Sequence, residues 1–170
     1  MEFGLPPLFP YADGTMPKQS EAEAKHVRWE IDIKNSASKN SKLIKTSLDN
    51  ITGEFPRFDE RFALQKYSNG YYAGTIGNHP KGMSLNSIIH YDYKTGERNS
   101  FTTAEGGAIG EPVFVPKSKD SKDGEGWLVA TEYNGSENRS NLIFLDAQHV
   151  NDGPVAVSYT HLRAHETKAN

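Results

Sequence analysis

Two glutamates stand in the same local setting. Glu54 lies in Gly53-Glu54-Phe55-Pro56-Arg57-Phe58, and Glu111 lies 57 residues later in Gly110-Glu111-Pro112-Val113-Phe114-Val115-Pro116. Each is a carboxylate between a glycine turn and a proline-flanked run of β-formers. Strand propensity disfavours a glutamate there, and burial penalises its charge unless something binds it. One such glutamate reads as a solvated strand entry, but its recurrence asks for another reason. Carboxylates that converge repel unless a cation or protonated partners lie between them. The chemistry this pair points to is a polar, metal-centred axis, with the metal unnamed.

The chain around the glutamates repeats as well. Gly70-Tyr71-Tyr72-Ala73-Gly74-Thr75 answers to Gly126-Trp127-Leu128-Val129-Ala130-Thr131, offset by 56 residues. Ile88-Ile89-His90-Tyr91-Asp92 answers to Leu142-Ile143-Phe144-Leu145-Asp146, offset by 54, and Val27-Arg28-Trp29-Glu30-Ile31-Asp32 lies 60 residues before the middle copy. A period near 55 built of short strands and turn residues predicts small antiparallel sheets arranged as propeller blades. Blades are radial, so equivalent positions lie at equivalent radii, and both glutamates are expected at the inner ends of their blades.

The histidines offer less. His90 sits in a predicted strand and reads as a packing or surface residue, while His26, His79 and His149 fall in polar turn contexts. His161 and His165 form His-x-x-x-His, which on a helix would place two imidazoles on one face. However, Val157-Ser158-Tyr159-Thr160-His161-Leu162-Arg163-Ala164-His165-Glu166-Thr167 resembles the frame translation of a transposase adapter, and the strand pattern fades after Ala156. Residues 157–170 are therefore expected to be a non-native tail and stand outside the fold reasoning.

At 170 residues the chain is long enough for a real core. A net charge of −3, spread along the chain, argues against a nucleic-acid footprint. The absence of cysteine excludes disulfides, thiolate metal sites and thiol catalysis. No apolar run is long enough to span a membrane, and no signal peptide is visible, so a cytoplasmic location is expected.

Residues 1–20 read as loop, 21–25 as a charged linker, and Val27–Ile33 as a half-buried strand with Trp29, Ile31 and Ile33 inward. A polar turn at 35–42 precedes a short strand over Leu43–Leu48. The first full unit is expected from Gly53 to Gly107, with Gly96 supplying positive φ in its last hairpin. The second starts at Gly110. Its loop Lys117–Glu125 fails the spacing of a calcium loop and reads as a solvated turn.

Glu54-Phe55-Pro56-Arg57, His90-Tyr91-Asp92 with Thr95-Gly96, the Gly110–Pro116 segment, Gly126-Trp127-Leu128 and Leu145-Asp146-Ala147 together resemble the carotenoid cleavage oxygenases, a family that includes the lignostilbene dioxygenases. The resemblance covers roughly residues 3–156. It implies an all-β fold, about two and a half blades of a seven-bladed β-propeller, with 1–156 an incomplete propeller domain and 157–170 the tail. It also implies an oxidoreductase holding non-haem Fe(2+) on four histidines. Such an enzyme splits a C=C bond of a carotenoid, apocarotenoid or stilbene with O2 into two carbonyl products. Its partners are O2 and a hydrophobic polyene or stilbene, with peripheral membrane contact left open for the parent.

Carried onto this sequence, Glu54 and Glu111 match second-shell glutamates that accept the free N–H of ligand imidazoles. The four histidines themselves fall outside the chain on this reading. Three belong upstream of Met1 and one past Ala156, in a Gly-Phe-His-Gly context that the sequence lacks. No catalytic residue, no direct metal ligand and no activity are therefore expected of this piece alone, and iron belongs to the parent. The alternatives are a non-enzymatic β-propeller binding module and a carboxylate-based propeller hydrolase.

Overall fold

The structure, a computed structural model, describes residues 11–15, 24–32, 42–77 and 85–159. Within them the chain is strands joined by turns, with two 3-10 turns at Glu60–Phe62 and Val150–Asp152. Ten strands follow in order: β1 (Lys25–Ile31), β2 (Leu43–Phe58), β3 (Asn69–Gly74), β4 (Ser87–Asp92), β5 (Arg98–Thr102), β6 (Ala108–Ile109), β7 (Val113–Pro116), β8 (Gly126–Asn134), β9 (Arg139–Asp146) and β10 (Pro154–Tyr159). The predicted turn at 35–42, the linker at 21–23, and His79, His161 and His165 lie outside the described residues, apart from Lys42.

All pairings are antiparallel and form two sheets. The first runs β1-β2-β3-β4-β5, and the second runs β10-β9-β8-β6, with β7 also on β8. β2 serves twice. Its first half pairs with β1 as far as Lys25↔Thr52, and its second half, from Gly53, pairs with β3. Each repeat thus gives a four-position sheet, preceded by the β1–β2 hairpin. This agrees with two blades and part of a third. The predicted short strand at Leu43–Leu48 is corrected: it is the start of a 16-residue strand that crosses from one unit to the next.

The two sheets pack face to face. Tyr71, Ala73 and Ile88 of the first meet Leu128, Ala130, Ile143 and Leu145 of the second in one core, closed by Ile109, Ala147 and Val150. The other face of the first sheet carries Tyr72 and Ile89, packed with Ile51. β3 is therefore buried at every residue, which explains why Asn69–Gly74 shows no polar alternation. β8 alternates instead, because only its Leu128 face is covered. Tyr71 stacks on Phe114 across the interface at 5.6 Å between ring centres.

Three further expectations change. On β1 the buried residues are His26 and Val27, while Trp29 is 42% and Ile31 66% exposed. The far end of that hairpin has no sheet over it among the described residues. The loop Lys117–Glu125 is no free turn either. Asp123 accepts hydrogen bonds from the Ser68 and Asn69 backbone N–H groups and from Asn69 Nδ2, and Arg61 donates to the Ser118 and Lys119 carbonyls at 2.8 Å. The loop clasps the first sheet. Gly124 makes this fit, with φ +82° and no room for a Cβ beside the Asn69 side chain. Lastly, β10 continues through Val157–Tyr159, paired with Ile143, Leu142 and Asn141 of β9, so strand pairing runs three residues past Ala156.

Leu128, wholly buried between the sheets, should lose about 2–5 kcal/mol of stability as Leu128→Ala. Val113→Ala, at a half-exposed site on β7, should stay within about 0.5 kcal/mol. Urea unfolding midpoints measure both; equal losses would mean that the two sheets do not share this core.

Candidate functional site

Among the described residues both glutamates lie along a sheet edge, Glu54 on β2 and Glu111 in the break between β6 and β7. Beyond Thr52, β2 is paired only with β3, and β6 and β7 are paired only with β8. Each glutamate falls where its strand breaks register. In β2 the rungs Glu54↔Ala73 and Arg57↔Tyr71 leave Phe55 and Pro56 opposite the single residue Tyr72, a β-bulge, and Phe55 has φ +56°. In the second sheet the break falls between β6 and β7. There Gly110 N–H still donates to the Thr131 carbonyl at 2.8 Å, and pairing resumes at Val113↔Val129. Proline belongs at such a break, since it has no N–H to give a ladder. The repeated Glu/Pro pattern thus marks the same backbone device twice.

The two carboxylates differ in their surroundings. Glu54 is half-buried and has no hydrogen-bond or ion-pair partner among the described residues. Glu111 is exposed and accepts an ion-paired hydrogen bond from Arg57 Nη2 on its Oε1. The second terminal nitrogen of Arg57 lies 3.6 Å from Glu60 Oε1. Arg57 reaches across the seam from one sheet to the other, a role that its place in the motif did not reveal.

The histidines are sorted by burial. His90 is buried and stacked on Tyr71, and its Nε2 donates to Asn69 Oδ1 at 2.8 Å, while Asn69 Nδ2 donates to Asp123. Of the packing and surface roles that the sequence left open, packing is the one found. Burial pushes its pKa below the usual imidazole range, with the Asp92 and Asp123 charges opposing and His149 adding to the fall. His26 does not lie in a turn. It is buried on β1, with Nδ1 3.2 Å from Asp49 Oδ2 and Nε2 3.0 Å from the Tyr93 hydroxyl, and Tyr72 donates to the same Asp49 oxygen at 2.6 Å. Burial raises the Asp49 pKa, but hydrogen bonds from His26, Tyr72 and the Ile51 N–H outweigh it and leave a net lowering. Among the described residues only the exposed His149, on Asp146, matches the turn reading.

No three His, Asp or Glu side chains among the described residues come together as a metal-ligand set. The residues present therefore fit a metal only from outside its ligands, as acceptors. Glu54 has both oxygens free for that role, and Glu111 has one. A cavity of about 890 Å³ opens between β1, the end of β2 and the chain that leads into β3. Arg28, Arg57, Lys66 and Lys94 line it with no carboxylate, and neither glutamate does. The cavity and the candidate chemistry are adjacent through Arg57 but separate.

A pH effect follows from His90. With its folded pKa below the ordinary 6.5, the unfolded chain binds more protons as pH falls. Stability from this group is complete above about 6.5 and declines as pH drops toward the folded value. The slope can reach about 1.4 kcal/mol per pH unit for one proton. Unfolding free energies measured from pH 7 to 5 should fall more steeply for the wild type than for His90→Gln; parallel curves would remove His90 as the titrating group.

Comparison with known proteins accords with this architecture. The family described as RPE65, retinal pigment epithelial membrane protein, matches residues 5–165. The chain is 33% identical to resveratrol cleavage oxygenase 1 of Botryotinia fuckeliana, over 84% of its own length and 26% of that protein. It is 32% identical to isoeugenol monooxygenase of Pseudomonas nitroreducens, over 89% of this chain and 33% of the relative. Among solved structures, the lignostilbene dioxygenase of Pseudomonas brassicacearum superposes with a TM-score of 0.79 at 28% identity, covering 90% of this chain and 33% of that one. Cobalt-substituted Synechocystis apocarotenoid oxygenase superposes with a TM-score of 0.71 at 25% identity, covering 82% and 28%. The chain thus spans about a third of the length of these relatives, and its sheets are two neighbouring blades and part of a third in an unclosed β-propeller. With the family matched across almost all of its length, the chain belongs to the RPE65 or carotenoid oxygenase family.

Proposed function

We propose that the whole protein, of which this chain is about a third by its relatives' length, is a non-haem Fe(2+) oxygenase. It cleaves the C=C bond of an aryl-substituted alkene, a stilbene or a propenylphenol, with carotenoid and apocarotenoid substrates as the wider family range. In the cleavage the carbon–carbon double bond is lost and both atoms of O2 end in the two carbonyl products. The names of the relatives support the narrower class, since resveratrol, lignostilbene and isoeugenol are all aryl alkenes. The cobalt-substituted relative supports a bound metal. Iron would supply the activation of O2 when bound.

The observation that carries this reading is the doubled glutamate. Two carboxylates recur at a register break along the edge of neighbouring blades, and one of them is half-buried without a partner among the described residues. An accepting carboxylate without a donor suits the free N–H of an imidazole that ligates a metal. It fixes the tautomer, turns the ring and makes the other nitrogen a better donor. Glu54 and Glu111 would serve in this way, with the iron histidines supplied by other parts of the protein.

The test is Glu54→Gln and Glu111→Gln in the full-length enzyme, with Glu97→Gln in the exposed Asp92–Glu97 hairpin turn as control. Loss of an outer acceptor typically costs about 10–100-fold in metal affinity or activity. Iron retention and cleavage rate should both fall in that range for the first two and remain unchanged in the control. If Glu111→Gln and Glu97→Gln behave alike, Glu111 is a strand-edge residue and the reading is lost.

A further inference from the structure

We propose that Arg57 is a positioning residue for Glu111. Its guanidinium ties down Oε1 across the seam between the blades, so that the remaining oxygen is held in one direction for an imidazole N–H. The inference rests on the outer-acceptor role proposed above for Glu111 and extends it to a residue that would never touch the metal.

Four observations converge on Arg57. It is the ion-pair partner of Glu111, with Glu60 as its second carboxylate. It breaks the repeat: the residue after the proline is Arg57 in one blade and Val113 in the next, although the glutamates themselves recur. An aromatic residue is held in the left-handed region directly before Pro56-Arg57, with φ +56° at Phe55. That conformation is disfavoured for a side chain of this size and persists only when its surroundings require it. The bulge it creates sets where Arg57 emerges from β2. Finally, Arg57 Nε is buried with no hydrogen-bond partner, so the side chain is not placed to maximise its own bonding.

A merely structural role fits less well. The side chains of Arg57 and Glu111 are 37% and 40% exposed, and ion pairs at such exposure add little to stability. What an arginine does supply is direction. Its guanidinium spans two carboxylates, Nη1 toward Glu60 and Nη2 on Glu111 Oε1, and is oriented by both, whereas a lysine acts as a point charge on a flexible stem. Glu111, on an exposed strand break, has little else to restrain it. Glu54 is half-buried and needs no such tether.

The experiment is a double-mutant cycle in the full-length protein loaded anaerobically with ferrous iron, comparing wild type, Arg57→Met, Glu111→Gln and the double variant. The readout is the rate at which bound iron is lost to a chelator, followed beside the thermal midpoint. Glu111→Gln should lose iron about 10-fold faster or more. Arg57→Met should lose it several-fold faster with its midpoint unchanged, and the double variant no faster than Glu111→Gln alone. Arg57→Lys should fall between Arg57→Met and wild type, and it carries the cycle if Arg57→Met fails to fold. Additive losses, or a wild-type rate in the Arg57 variants while Glu111→Gln is impaired, would overturn the positioning role and leave the outer-acceptor reading standing. A wild-type rate in Glu111→Gln would sink both.

Discussion

The structure depends on a sheet that is covered on both faces. Tyr71, Ala73 and Ile88 meet the second sheet, while Tyr72 and Ile89 pack with Ile51 on the opposite side. No residue of β3 remains for solvent. Each sheet must therefore present one face to its predecessor and the other to its successor, and a radial stack is the arrangement that repeats this without end faces. Once the sheets stack, their first strands lie side by side at one seam, and Arg57 of one can reach Glu111 of the other.

Burying both faces creates a second demand, on polar groups. Each junction between neighbouring units holds a small hydrogen-bonded set of them. Asp49, His26, Tyr72 and Tyr93 tie the β1–β2 hairpin to the first sheet. Asp123, Asn69 and His90 join the first sheet to the β7–β8 loop. Glu132 accepts from Thr103 at 2.9 Å and from Asn141 at 3.0 Å where the chain passes between the sheets. Apolar faces slide past one another at little cost, but a buried carboxylate that loses its donors is heavily penalised. These clusters specify how far each blade sits along the next.

Much of this was legible in the sequence, for a definite reason. The offsets of 56 and 54 between repeated strands differ by two, so the β8–β9 register is displaced by an even number of residues relative to β3–β4 and equivalent residues keep the same face. Strand identity and facing survive such a shift. The spacing of 57 between the glutamates is odd, and its cause is local: the break takes Phe55-Pro56 in one blade and lies between Ile109 and Val113 in the other. What could not be read was anything set by a partner distant in the chain. His26 reads as a turn residue until Asp49 and Tyr93 are brought to it. The loop at 117–125 reads as solvated until Ser68 and Asn69 offer their N–H groups. Trp29 and Ile31 read as inward because alternation shows a two-faced strand but not whether a second layer covers it.

The candidate site combines both kinds of information. Its carboxylates are visible by repetition, but their inequality is not, since only packing separates a half-buried Glu54 from an exposed Glu111 tethered by Arg57. An edge strand accommodates such a side chain without polar partners set into the covering layers. In the middle of the sheet a carboxylate needs its own buried donors, as Glu132 has in Thr103 and Asn141. At the edge, a bulge can turn it along the seam and leave its ladder partner undisturbed. Proline at the break removes an N–H that would otherwise be left without an acceptor. The sequence rule of glutamate beside proline at a strand start is thus a packing rule: it marks the position where a blade can hold a charge toward its neighbour without interrupting the core between them.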